Sequence, residues 1–471
     1  MTVYTIFGII GVAALVLTLI RQFVAKPSNL LVCYLQNFVG SLFIFSGFVK
    51  AVDPLGTSYK MHEYFEAFAG EGMRPFWEWA STLSTPMAIG MIALELFIGF
   101  MLLIGWKPKF TVTIIWWLTL FFTFLTGYTF LSGYGITKLF ILASGLFFVL
   151  LALIPLPKEQ RTRANLMYAS LAFMILLYAV GKFTNQFFTV EFAEAKMKVT
   201  DCGCFGDFMK LKPWETFYKD IVLDIMIFIL VIGFREIKPV FQMVTVNALA
   251  GISAVLSFGF CIYTTYFNEP PIDFRPYAIG EDLNKNRIAA KEPVIEMLFV
   301  YKNKKTGEAK SYKMDELATL NYDELEFVER KDDVKDPGIP ARISNLRIEN
   351  DEGMDYTDTV LHDPNYSLMV VSHDLNITHE SAFKELNAIA AGAQKAGVDF
   401  YAVTVNDGKL EEFRHRNQTA YKFYHADATP LKTISRSNPG LVLLKNGVVI
   451  NKWHYRHLPT FDELNSEYFK K

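Results

Sequence analysis

Apolar runs of about 20 residues recur along the first 267 residues of the chain and are separated by polar connections. A run of this length crosses the hydrocarbon core of a bilayer. In lipid each run must form a helix, because backbone groups left without hydrogen bonds there are costly. The pattern therefore predicts a polytopic α-helical membrane bundle of about eight transmembrane helices. The predicted spans are residues 3–20, 30–52, 84–106, 110–132, 135–155, 166–183, 217–234 and 243–266.

Two features refine this picture of the N-terminal region. The first run is not preceded by a basic segment or followed by a small-residue cleavage site, so it predicts a retained helix and not a signal peptide. Residues 56–81 are aromatic and amphipathic, which predicts a helical segment lying along the membrane interface.

Beyond residue 267 charged residues, Asn, Asp and Gly return at the density of a soluble protein. Residues 268–337 are rich in Pro and charge and predict a linker or small accessory domain. Residues 338–471 alternate buried strands with helices and include a hairpin that turns at Asn446–Gly447. Their order is β-α-β-α-β-β-α. The elements predicted here include strands 367–371 and 398–405, helices 379–397 and 408–423, and the hairpin 438–453.

The distribution of Lys and Arg predicts the orientation in the membrane. The short connections are basic and contain Arg21, Lys26, Lys107, Lys109, Lys158, Arg161, Arg163, Arg235 and Lys238. The longer connections 53–83 and 184–216 carry six basic residues over about twice the length. This bias predicts a bacterial inner-membrane protein with both termini, the loop 184–216 and the soluble tail in the periplasm, where disulfides persist.

Composition limits the chemistry. The net charge is −2, and no basic tract or phosphate-binding loop is present, so we expect no nucleic-acid partner. The chain has only four cysteines, and two of them, Cys202 and Cys204, lie one glycine apart in "DCGCFGDF". Two thiols alone do not complete a zinc site, so we predict no metal.

Three segments resemble the DoxX/MauE group of small bacterial membrane proteins. They are "GSLFIFSGFVKAVDP" (40–54), "ALELFIGFMLLIG" (93–105) and "DCGCFGDF" with the following "FYKD" (201–220). The resemblance implies a four-helix core formed by spans 30–52, 84–106, 110–132 and 217–234, with the remaining spans added to it. Members of the group are associated with thiosulfate–quinone oxidoreduction or with maturation of disulfide-rich periplasmic enzymes.

The tail is similar to TlpA- and peroxiredoxin-like thioredoxin domains. Ser372, His373, Asp374 and Leu375 stand where such a domain has its Cys-x-x-Cys, and the tail contains no cysteine. Pro439 stands at the place of the proline beside the active site. The resemblance implies an α/β thioredoxin-like domain that cannot exchange electrons alone, with a groove near His373 and Pro439 that could hold an extended client peptide.

The Cys202–Cys204 pair admits two interpretations. A disulfide across a single residue closes a small ring, is labile and suits an oxidant, and Gly203 permits the backbone that this ring needs. Alternatively, the pair is a permanent staple of an outer loop. Asp201 and Asp207 are expected to disfavour a thiolate. Cys33 is expected to be a packing residue, and Cys261 either the same or a resolving thiol.

Glu95 lies near the middle of its span, and Asp224 lies inside another. A carboxylate within a membrane needs a partner or a function. Lys50 is the first candidate partner of Glu95, with Lys182 and Lys219 as others. Either Glu95 and Lys50 belong to a proton or quinone pocket, or they form a structural ion pair.

These observations favour an inner-membrane protein that supports periplasmic thiol–disulfide chemistry or maturation of secreted proteins. Cys202 and Cys204 would pass electrons from a protein client to a quinone. The alternative is a non-catalytic scaffold that presents the thioredoxin-like domain to an envelope complex, in which case the two cysteines only brace a loop.

Overall fold

The computed structural model describes residues 2–24, 26–136, 138–157, 159–184, 192–199, 203–304, 306–336, 338–406 and 408–470. The chain forms two compact units, Met1–Ile272 and Asp273–Lys471. The boundary falls five residues after the composition change at residue 267. Each unit is described separately below.

The N-terminal unit is helical. Its helices are α1 (Val3–Val24), α2 (Leu30–Val52), α3 (Pro54–Glu71), α4 (Arg74–Thr82), α5 (Ser84–Ile104), α6 (Pro108–Ser132), α7 (Lys138–Leu153), α8 (Gln160–Thr184), α9 (Pro213–Gly233) and α10 (Met243–Tyr266). Within the described residues, five of these helices, α1, α2, α5, α6 and α10, are long and apolar enough to cross a membrane. The protein is therefore a membrane protein, and the count of eight spans stays a prediction.

A ring of four helices forms the centre of this unit. Helix α2 packs against α5 and α9, and α6 packs against α5 and α9. Helices α2 and α5 approach closely where glycines face each other: a Cβ on Gly40 would lie 3.1 Å from the Gly99 carbonyl oxygen. The buried core of the ring combines aliphatic residues, such as Ile98, Ile115 and Ile227, with aromatic ones. These are the helices that the DoxX/MauE resemblance implies as the core.

Helices α3 and α4 cover one end of the ring. Tyr64, Phe65 and Phe68 of α3 are buried and pack with Tyr128 of α6. The Tyr64 hydroxyl shares a 2.7 Å hydrogen bond with Thr129. The amphipathic face predicted to lie along the membrane interface therefore packs against the protein's own helices.

The basic short connections meet at the opposite end. The Val240 amide donates to the Ile104 carbonyl over 3.1 Å, which joins the α9–α10 and α5–α6 connections. The Lys238 ammonium lies 3.4 Å from the Lys26 carbonyl oxygen. The Arg163 guanidinium lies 5.8 Å from the ring centroid of Phe234. These basic connections therefore lie together at one end of the helical unit, as the distribution of Lys and Arg predicts. The compartment that each end faces stays a prediction.

The C-terminal unit contains two sheets. Its strands are β1 (Val294–Asn303), β2 (Ala309–Lys313), β3 (Leu325–Asp336), β4 (Tyr366–Ser372), β5 (Asp399–Thr404), β6 (Lys422–His425), β7 (Gly440–Lys445) and β8 (Val448–His454). Its helices are α11 (Leu283–Asn286), α12 (Thr357–Leu361), α13 (Phe383–Ala396), α14 (Leu410–Asn417), α15 (Ala428–Ile434) and α16 (Phe461–Leu464), the last continued by a π-helical turn over Asn465–Phe469.

The larger sheet has the order β6-β5-β4-β7-β8. Strands β4, β5 and β6 are parallel, whereas β7 and β8 run antiparallel to their neighbours. The central strand β4 is buried along almost its whole length. The predicted hairpin turns at Asn446 and Gly447, which have φ of 48° and 74°, as a tight turn between twisted strands requires.

One predicted element of this unit is wrong. The helix predicted over 408–423 ends at Asn417, and the chain then forms strand β6, whose Phe423 is buried beside β5. The linker or small accessory domain predicted over 268–337 stays a prediction: its strands β1 to β3 form a sheet of their own, whereas Tyr277 and Leu283 are buried with Val449 of β8. Burial against β8 requires tertiary contact, which local composition does not reveal.

Candidate functional site

A cavity of about 240 Å³ lies where α3 covers the helix ring. Its wall comes from helices α2 to α6, the loop before α9 and α9 itself. Five charged side chains line it, namely Lys50, Lys60, Glu95, Lys219 and Asp220, together with Cys204. Three of the predicted site residues, Cys204, Glu95 and Lys50, therefore share one space. Asp201 and Cys202 lie outside the described residues.

The loop that carries Cys204 is fixed to α2 and to the ring core. The Ser46 hydroxyl donates to the Cys204 carbonyl over 3.0 Å. The next side chain, Phe205, is 2 % exposed and packs against Phe45 at 6.0 Å between ring centroids. Gly203 has φ of +60°, and a Cβ there would lie 3.4 Å from Cγ of Lys60, an ordinary contact. The backbone conformation, more than the space, therefore favours glycine between the two cysteines.

Cys204 carries a free thiol that is half-buried. Burial raises its pKa to about 11; Lys219 and Lys50 oppose this shift, while Asp220 and Glu95 add to it. Desolvation is the largest cause of this raised pKa, and the effect expected from Asp201 and Asp207 stays a prediction. The thiol needs a base nearby to become a nucleophile.

Lys50 and Glu95 form a buried ion pair across α2 and α5. Their nitrogen and oxygen lie 2.5 Å apart, and the residues are 5 % and 2 % exposed. The Lys50 ammonium also lies 5.0 Å from the ring centroid of Phe122. Lys50, the first candidate named from the sequence, is the partner of Glu95. The pair both fixes α2 against α5 and borders the cavity.

A second ion pair joins Lys219 and Asp220 on α9. The sequence analysis named Lys219 only as a candidate partner of Glu95 and did not identify Asp220. The Thr126 hydroxyl donates to Asp220 over 3.0 Å. One turn further along α9, Asp224 accepts from the Thr123 hydroxyl over 2.7 Å. The threonines of α6 thus supply donors to both carboxylates of α9. The i, i+4 spacing of Asp220 and Asp224 was the available signal, because it places both on one helix face.

The remaining wall is apolar and mostly aromatic; its rings are Phe43, Tyr64, Phe65, Phe68, Trp77, Phe121, Phe122, Phe124 and Phe205. Phe121 and Phe124 also line a groove between α6 and α7, together with Gly145 and Phe148. The two rings therefore separate the cavity from the outer, lipid-facing side of α6. This arrangement fits a flat, apolar molecule that carries polar atoms at one edge.

The other cysteines lie elsewhere. Cys33 is buried within reach of the Asn37 amide, 3.8 Å from its sulfur. Cys261 is 0 % exposed and packs with Ala51, Ile92 and Ala93. Neither residue lines the cavity of Cys204. Their positions agree with packing roles.

In the C-terminal unit, the segment 372–375 stands where the sequence resemblance implies a Cys-x-x-Cys. Hydrogen bonds within the unit hold this segment in place. The Ser372 hydroxyl donates to the Asn438 side chain over 3.0 Å, and Asn438 donates to the Asp374 carbonyl over 2.8 Å. The His379 amide donates to the Asn438 carbonyl over 3.0 Å. His373 is 6 % exposed, and Pro439, which follows a cis peptide bond, is buried. An extended peptide would have to displace these contacts, so client binding at His373 and Pro439 stays a prediction.

One comparison with known proteins gives a match. Residues 28–137 match the family model of the methylamine utilisation protein MauE. No curated protein and no solved structure matches the chain. The matched span runs from α2 to α6, so it contains Lys50 and Glu95 and ends before the Cys204 loop. The chain is accordingly a membrane protein whose residues 28–137 are MauE-like.

Proposed function

We propose that this protein supports thiol–disulfide chemistry at the membrane, with Cys204 and its sequence neighbour Cys202 as the reacting pair. The observation that carries the proposal is the position of the Cys204 thiol in a cavity with two ion pairs. The MauE-like match supports the broader role, a membrane-associated function in redox chemistry or cofactor maturation.

The reaction would proceed in two balanced stages. Exchange with a client dithiol forms a disulfide in the client and leaves Cys202 and Cys204 as thiols. Reoxidation then forms the Cys202–Cys204 disulfide and releases two protons and two electrons. A quinone, the acceptor class that we propose, supplies a two-electron, two-proton sink.

The cavity residues have defined tasks in this scheme. Asp220 and Glu95 border the thiol and can accept its proton, which the raised pKa of Cys204 makes necessary at neutral pH. Lys50 and Lys219 stabilise the carboxylates before the transfer and a developing thiolate during it. The aromatic wall excludes water, and an apolar acceptor from the lipid would enter through the α6–α7 groove by displacing Phe121 and Phe124, which separate that groove from the cavity.

The C-terminal unit would act as the soluble partner of this site. Its strand order and the mixed directions of β4, β5, β7 and β8 support a thioredoxin-like fold. Since that unit has no cysteine, its contribution would be to bind clients and not to react with them. The periplasmic location of both the cavity end and this unit belongs to the same proposal.

The test uses the full chain with Cys33 and Cys261 replaced by Ala, so that Cys202 and Cys204 are its only thiols. The purified protein is reduced, freed of reductant and mixed anaerobically with a short-chain quinone. We expect one quinol per chain and the loss of two titratable thiols, and no quinol from the matched Cys204→Ser variant. Two thiols that persist alongside unreduced quinone would support the scaffold alternative instead.

A further inference from the structure

A second cavity, of about 690 Å³, lies at the end of the bundle opposite the Cys204 site. Its polar mouth is formed by Lys107 and Lys109, at the start of α6, and by Arg235, just after α9. Helix α6 contributes to both sites, and Thr126 of the Cys204 cavity lies about 26 Å along this helix from Lys109 at 1.5 Å per residue.

The charge of this mouth is one-sided. Of the residues that the structure describes, no Asp or Glu lines the cavity. Among the residues that the structure describes, none of the three cations pairs with a carboxylate. Glu236, which follows Arg235 in the sequence, accepts a hydrogen bond from Ser28. The first turn of α6, which begins at Pro108 beside Lys107 and Lys109, also has no side-chain cap. Such a mouth is complementary to a phosphate-bearing anion.

The rest of the cavity lining is mainly apolar. Phe110, Ile114 and Leu156 line its wall, and Trp117 lies about 12 Å further along α6 than Lys109. Trp117 is held by a 2.9 Å hydrogen bond from its indole to the Ala152 carbonyl on α7. It also borders the α6–α7 groove, which continues towards Phe148. A free phosphate ion would use only the mouth, whereas an acyl chain would fill the wall and the groove.

We propose that this cavity binds an anionic phospholipid, with its phosphate at Lys107, Lys109 and Arg235 and an acyl chain along Trp117. The lipid would join α6 to the α9–α10 connection at the end where the short connections meet. This inference does not depend on thiol chemistry, so the protein could bind the lipid whether or not Cys204 is redox-active.

The test measures lipid binding to the full chain by native mass spectrometry from detergent. The probes are phosphatidylglycerol and phosphatidylcholine of identical acyl chains. We expect phosphatidylglycerol to bind more tightly, and the triple variant Lys107→Gln, Lys109→Gln, Arg235→Gln to lose about fivefold in affinity per cation removed. The matched control replaces three exposed lysines of the other end, Lys196, Lys198 and Lys210, with Gln and should retain the preference.

Two further measurements keep the result interpretable. The elution volume and thermal midpoint of each variant report whether it is folded, and Trp117→Ala tests the apolar wall without changing charge. We expect Trp117→Ala to weaken phosphatidylglycerol binding while keeping its advantage over phosphatidylcholine. Equal binding of the two lipids, equal loss in the triple and control variants, or full displacement of lipid by millimolar inorganic phosphate would overturn the proposal.

Discussion

The cavity around Cys204 and the position around His373 differ in what fills them. At Cys204, two ion pairs and a thiol surround an open space of about 240 Å³. At His373, the polar groups of Ser372, Asp374 and Asn438 satisfy one another. A polar group that borders a cavity can meet a substrate, whereas a group whose hydrogen bonds are internal must first lose them. The comparison therefore favours the Cys204 cavity over the surroundings of His373 as the place where a substrate could meet polar groups.

The largest expected effect comes from removing the Cys204 thiol. We expect Cys204→Ser to abolish oxidation of a secreted two-cysteine reporter protein in cells, because no other described cysteine lines the cavity. Cys33→Ala, a change at a buried packing cysteine, should leave oxidation intact. The measurement is the oxidised fraction of the reporter after alkylation. Full oxidation in the Cys204→Ser strain would contradict the redox role.

The pH dependence of alkylation tests the surroundings of Cys204. With the pKa raised to about 11, the thiol is the favoured form, and its thiolate fraction grows about tenfold per pH unit up to that value. We expect the alkylation rate of Cys204 in a Cys202→Ser background to keep rising from pH 7 to pH 10. A cysteine introduced at the exposed Lys196 should level off above about pH 9. A plateau for Cys204 below pH 9 would show that burial does not control it.

The buried ion pair should dominate the stability of the membrane unit. Glu95→Gln or Lys50→Met leaves one buried charge without its partner, which costs about 3–5 kcal/mol. The double variant should recover much of this loss, because both charges are removed. Arg74→Gln at the exposed Arg74–Glu78 pair is the control and should change stability by less than about 1 kcal/mol. Chemical unfolding in detergent measures all four, and additive single effects would contradict a coupled pair.

The smallest expected effect is at Asn438, which holds Ser372 and Asp374 in the C-terminal unit. Asn438→Ala removes two side-chain hydrogen bonds at about 1 kcal/mol each, so we expect the unit to lose about 2 kcal/mol in free energy of unfolding. The exposed Asn376→Ala should cost less. Oxidation of Cys202 and Cys204 by quinone should proceed at the same rate in both variants. A slower oxidation in Asn438→Ala would mean that this position takes part in the chemistry.

Local patterns in the chain were enough to predict several elements. Apolar runs of bilayer length predict the membrane helices, since lipid leaves no alternative to a helix. The Asn446–Gly447 dipeptide predicts the hairpin, because its two residues adopt the positive φ that the turn needs. The carboxylate of Glu95 within an apolar run was sufficient to predict a partner, and Lys50 was the leading candidate. Each of these inferences depends on neighbours in sequence or on the solvent.

Tertiary structure alone decided the rest. Lys50 and Glu95 are 45 residues apart, and Ser46 and Cys204 are 158 apart, yet both pairs are in contact. Local pattern likewise did not predict three further features: the burial of α3 over the cavity, the Lys219–Asp220 pair beside the thiol, and strand β6 at the sheet edge. Amphipathic periodicity states that a face is apolar, but it does not state whether lipid or protein covers that face. Packing between distant segments makes that choice, and here it assembled the charged cavity around a single described thiol.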